Sequence, residues 1–341
     1  MRLFFDINHP VHYHTYKKLI ARFLENGHSC FTALRKKDVL IDLVHSDSLI
    51  SNFIIKGRGS NTKFGRVFTY IKWNLMNLFW AVKYKPKLLI GFGSPYLSFA
   101  GFFLCIPVII IDDTEIDHLL QKTYLPFSRK VITPLCFTKN FGNKQKKLPF
   151  LKELTYLSVS INKLVSKQDT EQPVILLRFT SGRALHDSNR RILTDMEKIH
   201  LVEMLNQFGK TYISFEGILP YDLHKFRLII KPHKMHSFIK ESMDIFVGDS
   251  ATMAAEAAVL GKLSIYIDNQ TRGYIDYLEN EYKLVKHFKQ LNINEIKNYI
   301  SSEFKYKFLK VRFNMALKLK NDHIDLTEFL WKYLSFFNNS R

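Results

Sequence analysis

Five stretches of the chain gather side chains whose types and spacing could do chemistry. Asp6-Ile7-Asn8-His9-Pro10-Val11-His12-Tyr13-His14 packs three histidines together. Imidazole titrates near neutrality, so a histidine here can act as a general base. No carboxylate or cysteine stands at a metal-binding spacing such as H-E-x-x-H, which leaves a metal site the weaker reading. His12 and His14 are freer of the turn at Pro10 than His9 is. Asp112-Asp113-Thr114-Glu115 closes an apolar run with three carboxylates. Asp113 with Glu115 is a variant of a D-x-D pattern, and the same residues could instead cap a following helix. Arg178-Phe179-Thr180-Ser181-Gly182-Arg183 offers two guanidinium forks and two hydroxyls, a set suited to a diphosphate or to an ordinary basic loop. Gly91-Phe92-Gly93-Ser94 is a glycine loop short of a dinucleotide fingerprint.

The fifth stretch organises the rest: Val247-Gly248-Asp249-Ser250-Ala251-Thr252-Met253-Ala254-Ala255-Glu256-Ala257-Ala258-Val259-Leu260-Gly261. It reads as a strand end, a tight turn at Gly248, and an alanine helix closed at Gly261. Asp249, Ser250 or Thr252 can cap the helix. Ala251, Ala254 and Ala258 share one face, while Asp249, Thr252 and Glu256 share another. Small residues let the helix lie close to a sheet, and its free N–H groups attract phosphate. Glu256 then either accepts from ribose hydroxyls or simply faces solvent.

Alternating elements would position these groups. Residues 2–7 read as a strand, followed by a helix from Pro10 to Asn26-Gly27 with Tyr16, Leu19, Ile20, Phe23 and Leu24 at core spacing. Strands follow at 28–34, 53–55, 87–90 and 107–111, with helices at 63–84 and 97–104. Continuous apolar strands of this kind are buried on both faces, as in a parallel α/β sheet. The polar stretch 158–172 marks a domain boundary. Beyond it come strands at 174–177, 210–214, 226–230, 245–247 and 262–267 and a helix at 195–208. The chain beyond Arg272 reads as helical and charged, and a last helix at 325–337 could pack back on the first domain. Two such domains would face each other across a cleft lined by strand carboxyl ends.

The 341 residues suit two domains, and 46% hydrophobic content can fill two cores. Three scattered cysteines argue against a disulfide framework or a zinc knuckle. No signal peptide or bilayer-spanning run is legible, so a soluble or peripheral cytoplasmic protein is expected. A net charge of +19 implies a polyanionic neighbour, either nucleic acid or an anionic membrane. Residues 63–87 localise that charge. Phe64, Val67, Ile71, Leu75, Leu78 and Val82 form an expected core stripe. Phe68, Trp73, Met76, Phe79, Trp80 and Tyr84 add apolar surface beyond it, flanked by Lys63, Arg66, Lys72, Lys83 and Lys87. Aromatics interleaved with lysine and arginine fit a helix in a membrane interface. No zinc-finger or RNP-type motif favours specific nucleic acid.

Gly91-Phe92-Gly93-Ser94-Pro95-Tyr96-Leu97-Ser98 with Ile106-Pro107-Val108-Ile109-Ile110-Ile111 resembles the first-domain signature of the peptidoglycan N-acetylglucosaminyltransferase. The segment from Gly248 to Gly261, with Asp6-Ile7-Asn8-His9-Pro10-Val11-His12, Arg178 and His186-Asp187, looks more like an uncharacterised family of predicted GT-B glycosyltransferases. That family is related to the UDP-GlcNAc 2-epimerase superfamily. The resemblance spans roughly residues 2–270. It implies two Rossmann-like domains: an acceptor-side domain at 1–165, a nucleotide-sugar domain at 173–320 and a returning helix at 321–341. It implies a UDP-linked nucleotide-sugar donor, with no obligate cofactor or metal. Glu256 would hold the ribose, and Gly248, Asp249, Ser250, Ala251 and Thr252, with Arg178 and Arg183, would surround the diphosphate. His12, His14 or Asp113 would serve on the acceptor side. Asp113 and Glu115 stand where the peptidoglycan enzyme has His-Glu, and Asn8-His9-Pro10 replaces its glycine-rich loop. A different acceptor is therefore implied, lipid-linked or a surface polysaccharide, met at the inner face of the membrane. An inverting glycosyltransferase is the leading expectation. A 2-epimerase of the same fold and a non-catalytic basic nucleic-acid binder are the alternatives.

Overall fold

The computed structural model describes residues 1–37, 39–60, 62–115, 118–158, 172–180, 193–215 and 217–339. Arg183 and His186-Asp187 lie outside the described residues. The chain divides into two compact units, Met1–Tyr156 with Ile324–Arg341, and Leu157–His323.

Unit 1 is built on seven parallel strands: β1 (Arg2–Ile7), β2 (Ser29–Leu34), β3 (Phe53–Ile55), β4 (Leu88–Phe92), β5 (Val108–Ile111), β6 (Lys130–Pro134) and β7 (Gln145–Leu148). Their spatial order is β3-β2-β1-β4-β5-β6-β7. The order reverses between β1 and β4, and α/β sheets bind ligands beyond the strand ends at such a point. The connecting helices are α1 (Pro10–Glu25), α2 (Leu40–Asp47), α3 (Lys63–Tyr84), α4 (Pro95–Leu104) and α5 (His118–Tyr124). Successive side chains of β1 serve opposite faces. Leu3, Phe5 and Ile7 pack with Tyr16, Leu19 and Phe23 of α1, whereas Phe4 packs with Ala81 of α3 and Leu97 of α4. The C-terminal helix Leu326–Asn339 belongs to this unit, with Trp331 4.9 Å from Phe23 and Arg22 paired to Glu328. Full burial of an aromatic such as Phe23 stabilises by roughly 2 kcal/mol.

Unit 2 holds five parallel strands, β8 (Val174–Phe179), β9 (Lys210–Phe215), β10 (Ile245–Gly248), β11 (Leu263–Ile267) and β12 (Val285–Phe288), ordered β12-β11-β10-β8-β9. Its switch point lies between β8 and β10. Its helices are α6 (Asp195–Asn206), α7 (Met235–Glu241), α8 (Ala251–Val259), α9 (Gly273–Asn280), α10 (Ile293–Glu303) and α11 (Tyr306–Asn321), and the C-terminal helix is α12.

Three expectations need correction. The expected core stripe of α3 is the outer face. Phe64, Val67, Ile71, Leu75 and Val82 are exposed, and Trp73, Asn74, Asn77 and Ala81 are buried instead. Asn74 and Asn77 fold back so that each Nδ2 donates to the carbonyl four residues earlier, Tyr70 and Trp73, while each buried Oδ1 has no hydrogen-bond partner. The run 226–230 forms no strand. Arg227 makes a single bridge to Ile213, and Ile229 stands in solvent. The charged stretches around β7 and β12 are strands rather than loop or helix, because edge strands tolerate lysine.

Candidate functional site

The unit 2 site grows from the β10–α8 turn. Gly248 lies beside Arg178 in register, and a Cβ on it would come within 2.3 Å of the Arg178 carbonyl oxygen. Only glycine lets the two strands end this close together. Ser250 caps α8, its side chain accepting from the Met253 N–H. Asp249 is not the cap. Its carboxylate accepts from the Thr180 N–H at 2.8 Å and hydroxyl at 3.1 Å, and so holds the residue that follows β8. Ala254, Ala255, Ala257 and Ala258 are fully buried against the sheet, and the Ser264 hydroxyl on β11 donates to the Ala254 carbonyl at 2.8 Å. Gly261 has φ of 71°, the left-handed conformation that ends the helix.

Glu256 is only 3% exposed, which removes the reading of a solvent-facing glutamate. Its Oε1 lies 3.2 Å from His236 Nε2 on α7. A buried carboxylate is retained where it has polar partners. Thr252, beside the open end of α8, is half-buried. Arg178 leaves the end of β8 and its Nη1 donates to the Ser214 hydroxyl of β9 at 2.6 Å. Arg178, Gly248, Ser250, Thr252 and Glu256 therefore belong to one strand-end region, with Asp249 beneath them as a brace.

The same edge holds groups that the sequence reading passed over. Asp268 follows β11 and accepts from the Tyr266 hydroxyl at 2.9 Å and the Gln270 N–H at 3.0 Å. Arg272 Nη1 donates to that hydroxyl at 2.8 Å, and His287 Nε2 lies 2.7 Å from the Asp268 carbonyl oxygen. Asp268-Asn269-Gln270 was findable by its place after an apolar strand. His236 had no such signal, since only the packing of α7 brings it to Glu256.

In unit 1, β1 ends in Asp6, which is fully buried. Lys56 at the end of β3 and the Ser94 hydroxyl after β4 both bond this carboxylate, and Asn8 Nδ2 donates to it at 2.7 Å. Lys56 also donates to Asn8 Oδ1 at 2.6 Å. His9 caps α1 by accepting from the Val11 N–H. His12 stacks on Phe92 at 4.5 Å, and its Nδ1 accepts from the Asn8 N–H at 3.4 Å. Burial, then the charges of Lys37, Lys152, Lys56 and Arg35, push His12 down to about 3. The ring is thus neutral at physiological pH and carries its proton on Nε2 when Nδ1 accepts. His14 turns to another neighbour, Tyr156, at 5.5 Å.

Asp113 is buried and 2.5 Å from Lys152, which also lies 2.6 Å from Glu153. Burial raises the Glu153 carboxyl, with Lys152 opposing the rise. Burial pushes Asp112 up to about 7, although Tyr124, Thr114 and Gln121 all donate to it. Asp112 therefore fastens α5 to the end of β5. Among the described residues, no three His, Cys, Asp or Glu converge to hold a metal ion. The three histidines point to different neighbours rather than to one centre.

No protein-family model matches the sequence, and no curated protein is found to match it. Solved structures match over the whole chain. The UDP-GlcNAc 2-epimerase of Neisseria meningitidis bound to UDP-GlcNAc is 14% identical, with 100% of both chains covered and a TM-score of 0.67. S. aureus MnaA with UDP is 10% identical, covering 99% of this chain and 97% of that one at a TM-score of 0.70. MurG of Acinetobacter baumannii is 12% identical, covering 98% and 99% at a TM-score of 0.60. The fold is GT-B. At such identities the likeness is one of architecture, and the two parallel sheets of this GT-B chain are its basis.

Proposed function

We propose that the protein is a nucleotide-sugar enzyme, an inverting and metal-independent glycosyltransferase with a UDP-linked donor. The observation that carries this reading is Glu256. A carboxylate 3% exposed in an alanine helix, little more than one turn on from the free N–H groups of that helix, suits a ribose next to a diphosphate. Binding of UDP or UDP-GlcNAc by two of the structural neighbours adds support. Unit 2 holds the donor, with Glu256 on the ribose hydroxyls and the N–H groups at Ser250, Ala251 and Thr252 on the diphosphate. Arg178, and Arg183 outside the described residues, neutralise the leaving diphosphate.

Unit 1 serves the acceptor. His14 takes the proton of the attacking hydroxyl. His12, neutral with its proton on Nε2, donates rather than accepts, and Asp113 orients Lys152. The acceptor is a lipid-linked sugar or a growing surface polysaccharide, reached at the inner face of the cytoplasmic membrane through α3. The exposed apolar residues of α3 lie among exposed Lys63, Lys72 and Lys83, and this arrangement supports peripheral membrane binding over specific nucleic acid. Among the described residues, no helix is long and apolar enough to cross a membrane.

A 2-epimerase is the second reading, favoured by the buried carboxylates Asp113 and Glu153 of unit 1 and by the fold shared with two solved epimerases. A thermal-shift panel of nucleotide sugars tests donor use: a UDP-sugar should raise Tm, and no shift with any nucleotide sugar rejects the proposal. Incubating the stabilising sugar without acceptor separates the readings, since an epimerase yields the epimer and a transferase leaves the sugar intact or slowly hydrolysed.

A further inference from the structure

Glu256 meets a second element of unit 2 that the donor reading leaves unused. His236 stands on α7, and its Nε2 lies 3.2 Å from Glu256 Oε1. Packing fixes where that ring sits. Ile239, three residues on and so on the same face of α7, is buried. Phe238 lies edge-on to Tyr212 of β9, with ring centres 5.7 Å apart. The Ser242 and Met243 N–H groups close on the Phe238 carbonyl at 2.9 and 3.0 Å and end the helix. The imidazole therefore approaches Glu256 from a seated element, and its ring is stiffer than a lysine stem.

The pair is asymmetric. The Glu256 side chain is 5% exposed and the His236 side chain 23%. The carboxylate is shielded, whereas the ring reaches the surface of the unit. A carboxylate only accepts, so this hydrogen bond places a ring proton on Nε2. A carboxylate as buried as Glu256 needs such a donor. The donor also gives it a direction. The last torsion of a glutamate is broad and roughly two-fold. A fixed N–H on Oε1 selects one plane for the carboxylate. A ribose presents vicinal hydroxyls, and a carboxylate accepts well from them only when its plane is aligned.

We propose that His236 is a positioning residue: it sets the plane in which Glu256 meets the ribose hydroxyls and so makes the site select nucleotides that carry them. The inference rests on the donor reading above and adds the residue that tunes its ribose selectivity. A contact that merely fastened α7 to α8 would behave differently. Its loss would lower Tm and weaken every nucleotide alike.

Calorimetry on the full chain, with UDP and 2′,3′-dideoxy-UDP as probes, tests this. The wild type should bind UDP more tightly than the dideoxy compound. His236→Ala should weaken UDP by about three- to tenfold, the effect of leaving one side chain to be ordered on binding. Its affinity for dideoxy-UDP should not change. His236→Gln should restore UDP binding, because its amide nitrogen reaches the place of Nε2. His236→Asn, whose amide nitrogen reaches only the place of Nδ1, should not. Should His236→Ala fail to fold, the Gln and Asn variants, checked by melting curve, carry the comparison. Equal weakening of both nucleotides, or rescue by Asn as well as by Gln, overturns the proposal. UDP affinity lost in Glu256→Ala but unchanged in His236→Ala overturns it too, with the donor reading left standing. A chain that ignores UDP, or binds it regardless of Glu256, overturns the donor reading and this inference together.

Discussion

Single residues decide what this edge chemistry can be. Glu256 is the clearest case, because burial changes it from a common surface glutamate into a carboxylate held for a purpose. His12 changes in the other direction. Spacing made it a candidate base, but a neutral ring whose Nδ1 accepts from Asn8 is a donor. Asp112 yields a pH prediction. Its carboxyl is raised to about 7 by burial, above the ordinary value near 3.9. The fold therefore prefers the neutral acid. The stability this contributes is full below about pH 4 and is lost as pH rises through about 7, at most about 4 kcal/mol. Asp112→Asn stays neutral, so its Tm relative to wild type should rise from about pH 5 to about pH 8. A difference that does not change with pH would contradict the assignment.

At the scale of elements, the β10–α8 turn was the most legible part of the sequence. Gly248, the alanine run and Gly261 each state a backbone requirement that neighbours cannot override. Gly248→Ala should cost about 1–3 kcal/mol through the clash with the Arg178 carbonyl. It should also weaken UDP binding, and an unchanged melting curve would show that the strands can spread. Helix α3 was legible in its bounds and illegible in its orientation. A helical period marks a face without saying whether that face meets a sheet or something else. Asn74 and Asn77 look like the outer side, yet they are buried, each amide nitrogen returning to its own helix backbone. Strands β7 and β12 escaped notice because their lysines break the apolar pattern. The Asp6–Lys56–Ser94 cluster was hidden for another reason: it joins three strand ends that are far apart in sequence. The exposed face of α3 gives a third prediction. Phe64→Ser with Phe68→Ser should lower affinity for anionic vesicles by about 2 kcal/mol or more, roughly thirtyfold. Co-sedimentation measures this, and full retention of binding would remove α3 from the membrane.

At the scale of the whole molecule, the charge of +19 and the two α/β units make different statements. The charge concerns partners, and vesicle binding should fall steeply with salt and with loss of anionic lipid. Salt-independent binding to neutral vesicles would show that apolar contact alone holds the chain. The two parallel sheets concern architecture, and GT-B architecture hosts more than one reaction on nucleotide sugars. The strand-end residues must therefore carry the functional argument, with Glu256 at its centre. Its most direct test is the calorimetric affinity of the full chain for UDP, wild type against Glu256→Ala, with folding checked by the melting curve. Loss of hydrogen bonds to a charged group predicts a Kd weaker by about 10- to 100-fold. An unchanged Kd in a folded variant would place the donor elsewhere and contradict the account.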